Sequence, residues 1–385
     1  MQGIKNINLA EALEGLEDPR TERVHKYLLA EILFTAFAGI LCGARSYVAM
    51  ANAGELRLEQ YRQFLPFDNG IPSGWTLRNV LSRLDPEKMH EVFASWMMSS
   101  IEEYLTSDEP HVIALDGKQA RRTKDTEKKP LHVVSAFDSS RQLVLGQKAC
   151  AEKSNEITAI PDLLRILDIK GAIVTIDAIG TQHIIANTII ERGGDYLLTV
   201  KKNRKVQFRE LEAFFAPLME NVHHPKDGSY AITRDAGHGR FEVRECWVCS
   251  DVSSLPQTRK WKGVQGAAVI KCRTERNGKI TEEIRYLIFS RAGMSAEKVL
   301  TACRKHWGIE NGLHWVLDMV FREDESRARH GHSAENLNVL RHMAFDVLRP
   351  LKDKGLSFDL LQQRCLLSDG FFSQVIKSIG FMTAV

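Results

Sequence analysis

Two short apolar runs, each delivering a single acid, constrain this chain more than anything else in it. His111-Val-Ile-Ala-Leu-Asp-Gly-Lys118 carries a strand into Asp116 and then breaks on a glycine, and Ala172-Ile-Val-Thr-Ile-Asp-Ala-Ile-Gly180 repeats the pattern with Asp177. Acids are depleted in strands, so a carboxylate closing an apolar one faces a cleft rather than a core. A turn-forming aspartate is the competing explanation, above all for Asp116-Gly117. A third acid, Glu310, lies in a helical run from Thr301 to Val320, at the edge of a face made by Ile309, Leu313, Val316 and Val320. His306, Trp307, His314 and Trp315 crowd the same turns. If the two strands are neighbours and the helix packs across them, Asp116, Asp177 and Glu310 converge on a divalent-metal site.

The surrounding pattern makes that arrangement an expectation. Residues 1–105 read as helical, with Tyr27–Cys42 the central helix. From His111 the reading is strand 111–116, strand Leu131–Phe137, strand Gln142–Ala149, and a helix opened by Ser154-Asn155-Glu156 and running to Leu167. Strand 172–177, a helix through Ile190 and strand Asp195–Val200 follow. That order fits an α/β fold with a ribonuclease-H-like mixed sheet flanked by helices. Residues 205–291 then read as a β-rich insertion, with strands Phe241–Ser250, Val264–Thr274 and Ile280–Ser290, before helical texture returns over 292–385 and completes the catalytic domain begun at 106–204.

Composition excludes several classes. A chain of 385 residues with 44% hydrophobic content has material for two or three folded domains, and a formal charge of +3 says little about partners. Seven cysteines without framework spacing suit reduced thiols in a cytoplasm. The long apolar run from Tyr27 to Ala44 contains Glu31 and two glycines, which reads as a buried helix and not as a membrane span. Cys246-x-x-Cys249 lacks a second ligand pair for zinc, and residues three apart on a strand face opposite sides.

Local charge carries the argument about partners. Lys118–Lys129 holds Lys118, Arg121, Arg122, Lys124, Lys128 and Lys129 against two acids, and Lys201–Arg209 adds Lys201, Lys202, Arg204, Lys205 and Arg209 with none. Both clusters follow strands on the acid-bearing side, where they suit backbone phosphates; solvated loops have the same composition. In Ser73–Leu84, Leu77, Val80, Leu81 and Leu84 share one face and leave Arg78, Asn79, Ser82 and Arg83 outward, and Asp85-Pro86 opens the next helix. Two helices around a tight turn suit a helix-turn-helix reading of the major groove; an ordinary helical bundle with a polar face has the same pattern. Three carboxylates and one phosphodiester balance two divalent cations, and hard oxygen ligands select Mg²⁺ or Mn²⁺ over Zn²⁺. Such a site performs in-line displacement at phosphorus without a protein nucleophile.

At these residues the chain resembles the DDE transposases of bacterial insertion sequences, of the H-repeat-associated type. The resemblance runs through Asp18-Pro-Arg20, Ile71-Pro-Ser73, Ala114-Leu-Asp-Gly-Lys118, His132-Val-Val-Ser-Ala-Phe137, Glu152–Pro161, Thr175-Ile-Asp-Ala178, Gly194-Asp-Tyr-Leu197, His238-Gly-Arg240, His306-Trp-x-Ile-Glu-Asn311 and Leu313-His-Trp-x-Leu-Asp318, nearly the whole chain. It implies Asp116, Asp177 and Glu310 as catalytic acids holding two Mg²⁺ ions, with Mn²⁺ able to substitute. It implies double-stranded DNA as partner, both element ends and target, bound by a homodimer or larger assembly in the bacterial cytoplasm. The wider class carries a tyrosine, an arginine and a lysine around its glutamate where this chain has Cys303, His306 and Leu317, so contacts assigned to that signature do not transfer. DNA contacts are expected at Lys118, Arg121, Arg122, Lys201 and Lys202, end recognition at Arg78 and Arg83 in residues 1–105, and a further contact at His238 and Arg240.

Overall fold

The computed structural model describes residues 13, 15–21, 25–101, 111–124, 129–150, 156–221, 228–237, 239–352 and 355–379, the side chains of 98–101 and 221 aside. A nine-stranded mixed sheet in the order β3-β2-β1-β4-β5-β9-β8-β7-β6 runs through it. The first five strands are β1 (Val112–Ala120), β2 (Leu131–Asp138), β3 (Leu143–Ala149), β4 (Ile173–Ile176) and β5 (Asp195–Val200). β1, β4 and β5 are parallel and β2 is antiparallel to both neighbours. The expected strand succession is therefore present, with helices Glu156–Ile166 and His183–Glu191 as crossovers.

The 205–291 stretch differs from the sequence reading. It begins with a 17-residue helix, Lys205–Asn221, and carries a further strand before the three expected ones; its strands join the main sheet. β6 (Gly228–Gly237), β7 (Arg240–Cys249), β8 (Gly266–Arg276) and β9 (Lys279–Phe289) return through β9, which pairs antiparallel with β5 from Leu197↔Phe289 to Val200↔Tyr286. Backbone hydrogen bonding thus continues from β5 into the later strands without a break. Cys246 and Cys249 belong to the apolar clusters on opposite faces of this sheet, as the spacing of three on a strand requires.

Among the described residues up to 101, helices Leu29–Leu41, Tyr47–Glu55, Leu58–Tyr61, Gly74–Leu81 and Pro86–Ile101 carry the chain. Glu31 explains itself: its carboxylate is buried but accepts from the backbone N–H groups of Leu28 (2.9 Å) and Phe67 (2.7 Å). These helices share one apolar core with the sheet and with helices Ser333–Lys352, Phe358–Leu367 and Asp369–Ser378. Tyr61 stacks on Phe372, Arg57 meets Asp369 at 3.1 Å, and the Asn336 amide donates to the carbonyls of Leu81 and Leu84. The C-terminal helices thereby fasten the N-terminal ones to the sheet. No helix among the described residues is long and apolar enough to cross a membrane.

Candidate active site

One face of the sheet changes character along its strands, and that change builds the site. Val112, Ile173, Leu197 and Leu287 lie under helix Ala296–His306, whose Val299, Leu300 and Ala302 complete a small apolar cluster. Moving along the same side by steps of two, Val112 gives way to Asp116, Ile173 to Thr175 and Asp177, Leu197 to Thr199 and Lys201, and on the antiparallel β9 Leu287 to Arg285 and Glu283. Where the helix ends the floor becomes polar, and the chain crosses it as a π-helical turn, Ile309–His314, carrying Glu310. A cleft of about 210 Å³ results, lined by Asp116, Asp177, Glu310, Thr175, Lys201, Glu283, Arg285, His306 and Trp307 among others.

The β1–β4 register runs to Leu115↔Ile176, so Asp116 and Asp177 stand side by side one step further on. Asp116 is not at a strand end, as the sequence reading had it: β1 continues to Ala120. Gly117 is a strand residue, and a Cβ there would fall 2.0 Å from Glu156 Oε1 and 2.6 Å from His132 Nε2. The glycine therefore admits the His132–Glu156 pair (3.0 Å) and does not mark a turn. The helix expected from Thr301 to Val320 is likewise broken into Ala296–His306, the π turn and Trp315–Met319; π turns of this kind recur at functional sites. Ile309, Leu313 and Val316 are buried as anticipated, and Val320 is half-buried.

The two aspartates have opposite electrostatics. Asp116, 18% exposed, is pushed up to about 7 by burial and then by the Glu310 carboxylate. Asp177, 61% exposed, is held below the ordinary carboxyl value by the His306 ring, 3.7 Å away, with Lys201 and Arg285 adding to the effect against its partial burial. His306 is itself fixed by Thr175, whose Oγ1 lies 2.9 Å from its Nδ1. One donor atom each from Asp116, Glu310 and His314 lie within 4.8 Å of one another. A carboxylate raised by burial and by a neighbouring carboxylate is what a divalent cation would relieve, and the hard oxygens of Asp116 and Glu310 fit Mg²⁺ or Mn²⁺.

The basic residues divide. Lys118, expected at DNA, is turned inward: its amine is 2.7 Å from Asp318, 2.9 Å from Glu323 and 3.5 Å from Asp324. Glu323 in turn accepts from the Asn338 amide, and Asn338 from Gln147, so the lysine anchors a buried polar network. Arg121 is exposed and touches Asp324 at 3.2 Å; Arg122 and Lys202 are exposed, and Lys201, also exposed, lines the cleft. Arg204 is structural, bonded to Thr181 and Gln182 and lying over Trp261. Arg78 and Arg83 are exposed on their helix and its end, but Ser82, expected outward, is buried, its carbonyl accepting from His332. Arg240 is exposed on β7 and His238 lies outside the described residues. Sequence reasoning assigned no role to His314 or Arg285; the spacing of four from Glu310 was the available signal for the first, and nothing local pointed to the second.

A family model described as "Transposase DDE domain" matches residues 107–346, and one described as "DDE_Tnp_1-associated" matches 10–97. The chain belongs to the DDE transposase family. Its relatives agree: the H repeat-associated putative transposase YhhI of Escherichia coli K12 is 39% identical over 97% of this chain and 98% of its own length. The putative transposase YncI of Escherichia coli O157:H7 is 35% identical over 98% and 97%. A DDE transposase domain fits a ribonuclease-H-like sheet, in keeping with the order of β1–β5.

Proposed function

We propose that this transposase-family chain cuts DNA at the ends of a mobile element and joins the freed 3′-hydroxyls to target DNA, acting on double-stranded DNA as a homodimer or larger assembly in the cytoplasm. The observation that carries the reading is the meeting of Asp116, Asp177 and Glu310 from two parallel strands and one π turn in a single cleft. Asp116, Asp177 and Glu310 would hold two divalent cations, Mg²⁺ with Mn²⁺ able to substitute. When bound, these supply Lewis-acid stabilisation of an in-line displacement and an activated water or 3′-hydroxyl. The chain's own part is to fix the acids. His306, braced on Thr175, orients Asp177; Gly117 lets β1 run straight past Glu156; and Arg121, Arg122, Lys201 and Lys202 offer charge to the phosphate backbone.

Choice of sequence belongs elsewhere, because a cleft that grips any phosphodiester reads no bases. The separate family match over 10–97 and the exposed Arg78 and Arg83 support residues 1–105 as the end-recognition region, with Arg240 and His238 as the other candidate surface. Replacing Arg83 by Ala should cost about 1–3 kcal/mol of discrimination at one base pair and little on random DNA; unchanged selectivity in footprinting would move recognition to the Arg240 region.

The deciding experiment is cleavage and strand transfer on element-end DNA with Mg²⁺. Asp116→Ala, Asp177→Ala and Glu310→Ala should each reduce cleavage by at least about a hundredfold while DNA binding persists. A variant keeping about a tenth of wild-type cleavage would remove that acid from the mechanism. Cleavage without joined products would leave a stand-alone nuclease, and DNA binding with no cleavage by the wild type would leave a regulator or an inactive remnant.

A further inference from the structure

His314 and His306 flank the same acids, yet the protein treats them differently. The His306 ring is bonded to Thr175 at 2.9 Å. The His314 side chain is 8% exposed, and its Nε2 is buried with no hydrogen-bond partner. Its Nδ1 points at the acids, 3.6 Å from Asp116 Oδ2 and 4.0 Å from Glu310 Oε2. A nitrogen and a carboxylate oxygen that bond to each other stand about 2.7–3.2 Å apart. Donors sharing one octahedral ion at about 2.1 Å stand about 3–4 Å apart. The observed spacings belong to the second case, and the three donor atoms all lie within 4.8 Å of one another.

We propose that His314 is a direct metal ligand through Nδ1, forming with Asp116 and Glu310 a mixed oxygen and nitrogen position for one divalent cation, and leaving Asp177 to the other. The proposal rests on the reading of the cleft as a divalent-metal site and specifies its donors. Glu310 and His314 lie four apart within Ile309–His314, a spacing that sets both side chains on one face of the turn, beside Asp116. An imidazole donor changes the metal preference. Carboxylate and water suit Mg²⁺ and Mn²⁺ alike, but an imidazole nitrogen is a softer donor that the harder Mg²⁺ uses less well, so the nitrogen should strengthen Mn²⁺ binding at this position more than Mg²⁺ binding.

The test uses Mn²⁺ as the probe on the full chain, with pulsed electron paramagnetic resonance reading ¹⁴N coupling from a coordinated imidazole. Wild type and His306→Gln should give the coupling, and His314→Gln should lose it. Mn²⁺ affinity in His314→Gln should fall by at least about tenfold, the least that losing even an outer-shell partner costs, and Mg²⁺ affinity, read by competition, should fall by less. Bound Mn²⁺ without nitrogen coupling in wild type, or coupling that survives in His314→Gln, overturns the ligand assignment and leaves the metal-site reading standing. No Mn²⁺ binding to wild type overturns both. Should His314→Gln fail to fold, the His306→Gln spectrum decides, because His306 is the other imidazole beside the acids among the described residues: a spectrum that keeps the coupling supports His314, and one without it overturns the assignment.

Discussion

On the β1 side of the cleft Asp116 is nearly buried, and the lysine two residues on, Lys118, is turned inward among Asp318, Glu323 and Asp324. On the β4–β5 side Asp177 is open, His306 stands beside it, and Lys201 and Lys202 face solvent. Both sides are written with the same ingredients, an acid at the end of an apolar run and a basic cluster beyond a strand. Burial separates them. The β1 wall holds unbalanced negative charge facing the cleft and commits its lysine to the core, which makes it a wall that needs a cation. The β4–β5 wall already has positive charge near its acid and keeps its lysines free, which suits it to phosphate.

The largest effect expected from this contrast is at Lys118. Its amine lies against carboxylates of which Glu323 is almost fully buried, and although burial alone would lower the lysine's pKa, Glu323 and Asp318 raise it above the usual value. Removing one member of a buried ion network leaves the others uncompensated and costs about 3–5 kcal/mol. Lys118→Met should therefore lose about that much in denaturant unfolding. Lys201→Met should be close to neutral in the same measurement, and equal losses at the two positions would erase the distinction between the walls.

DNA binding should divide the same residues the other way. Removing the charges of Arg121, Arg122, Lys201 and Lys202 should lower the slope of log affinity against log salt by about one unit for each phosphate they neutralise, on all sequences alike. A folded Lys118 variant should keep the wild-type slope. A loss confined to one specific site would make these residues base readers instead.

Strand order was legible because β-branched periodicity and glycine-marked boundaries are local, and so were the Leu77, Val80, Leu81 and Leu84 face and the burial of Ile309, Leu313 and Val316. Asp116 and Asp177 stood out because acids closing apolar runs are rare, and Glu310 stood out only through its crowded helical setting and the family resemblance; all three line the same cleft. What escaped is set by contacts between distant segments. Gly117 looked like a turn because the His132–Glu156 pair that requires it lies elsewhere in the sequence. Lys118 looked like a phosphate contact because its partners lie about two hundred residues on, near 318–324. Pairing of β9 with β5, which merges the 205–291 strands into the main sheet, leaves no periodic trace in either strand. The π turn preserved an α-like apolar spacing and so was read as continuous helix.

The smallest effect, and the one that bears most directly on the contrast, is the pH dependence of stability in metal-free protein. Asp116 titrates near 7 in the fold against an ordinary 3.8, so the folded state binds the extra proton between those values. Stability is therefore lost as pH rises through that window, and the penalty of ionising Asp116 is fully present above about 7 and absent below about 4. Asp116→Asn removes the penalty. Each pH unit is about 1.4 kcal/mol, and water reaching an 18% exposed carboxyl takes back part of it, so the variant should gain about 1–2 kcal/mol at pH 8 and nothing at pH 4. Asp177 works in the opposite sense. Its lowered value means the carboxylate stabilises the fold above 3.8, and that contribution is lost as pH falls through the folded value. Asp177→Asn should lose stability at pH 8 and recover towards wild type in acid, by an amount that solvent screening keeps small at an acid so exposed. Thermal unfolding of both variants across this range in chelator measures the two signs together; a gain in Asp177→Asn at pH 8, or none in Asp116→Asn, would mean that the uncompensated charge sits on the other wall. Adding Mn²⁺ should then raise the wild-type midpoint more than that of Asp116→Asn, because bound ligand stabilises only a fold that can hold it.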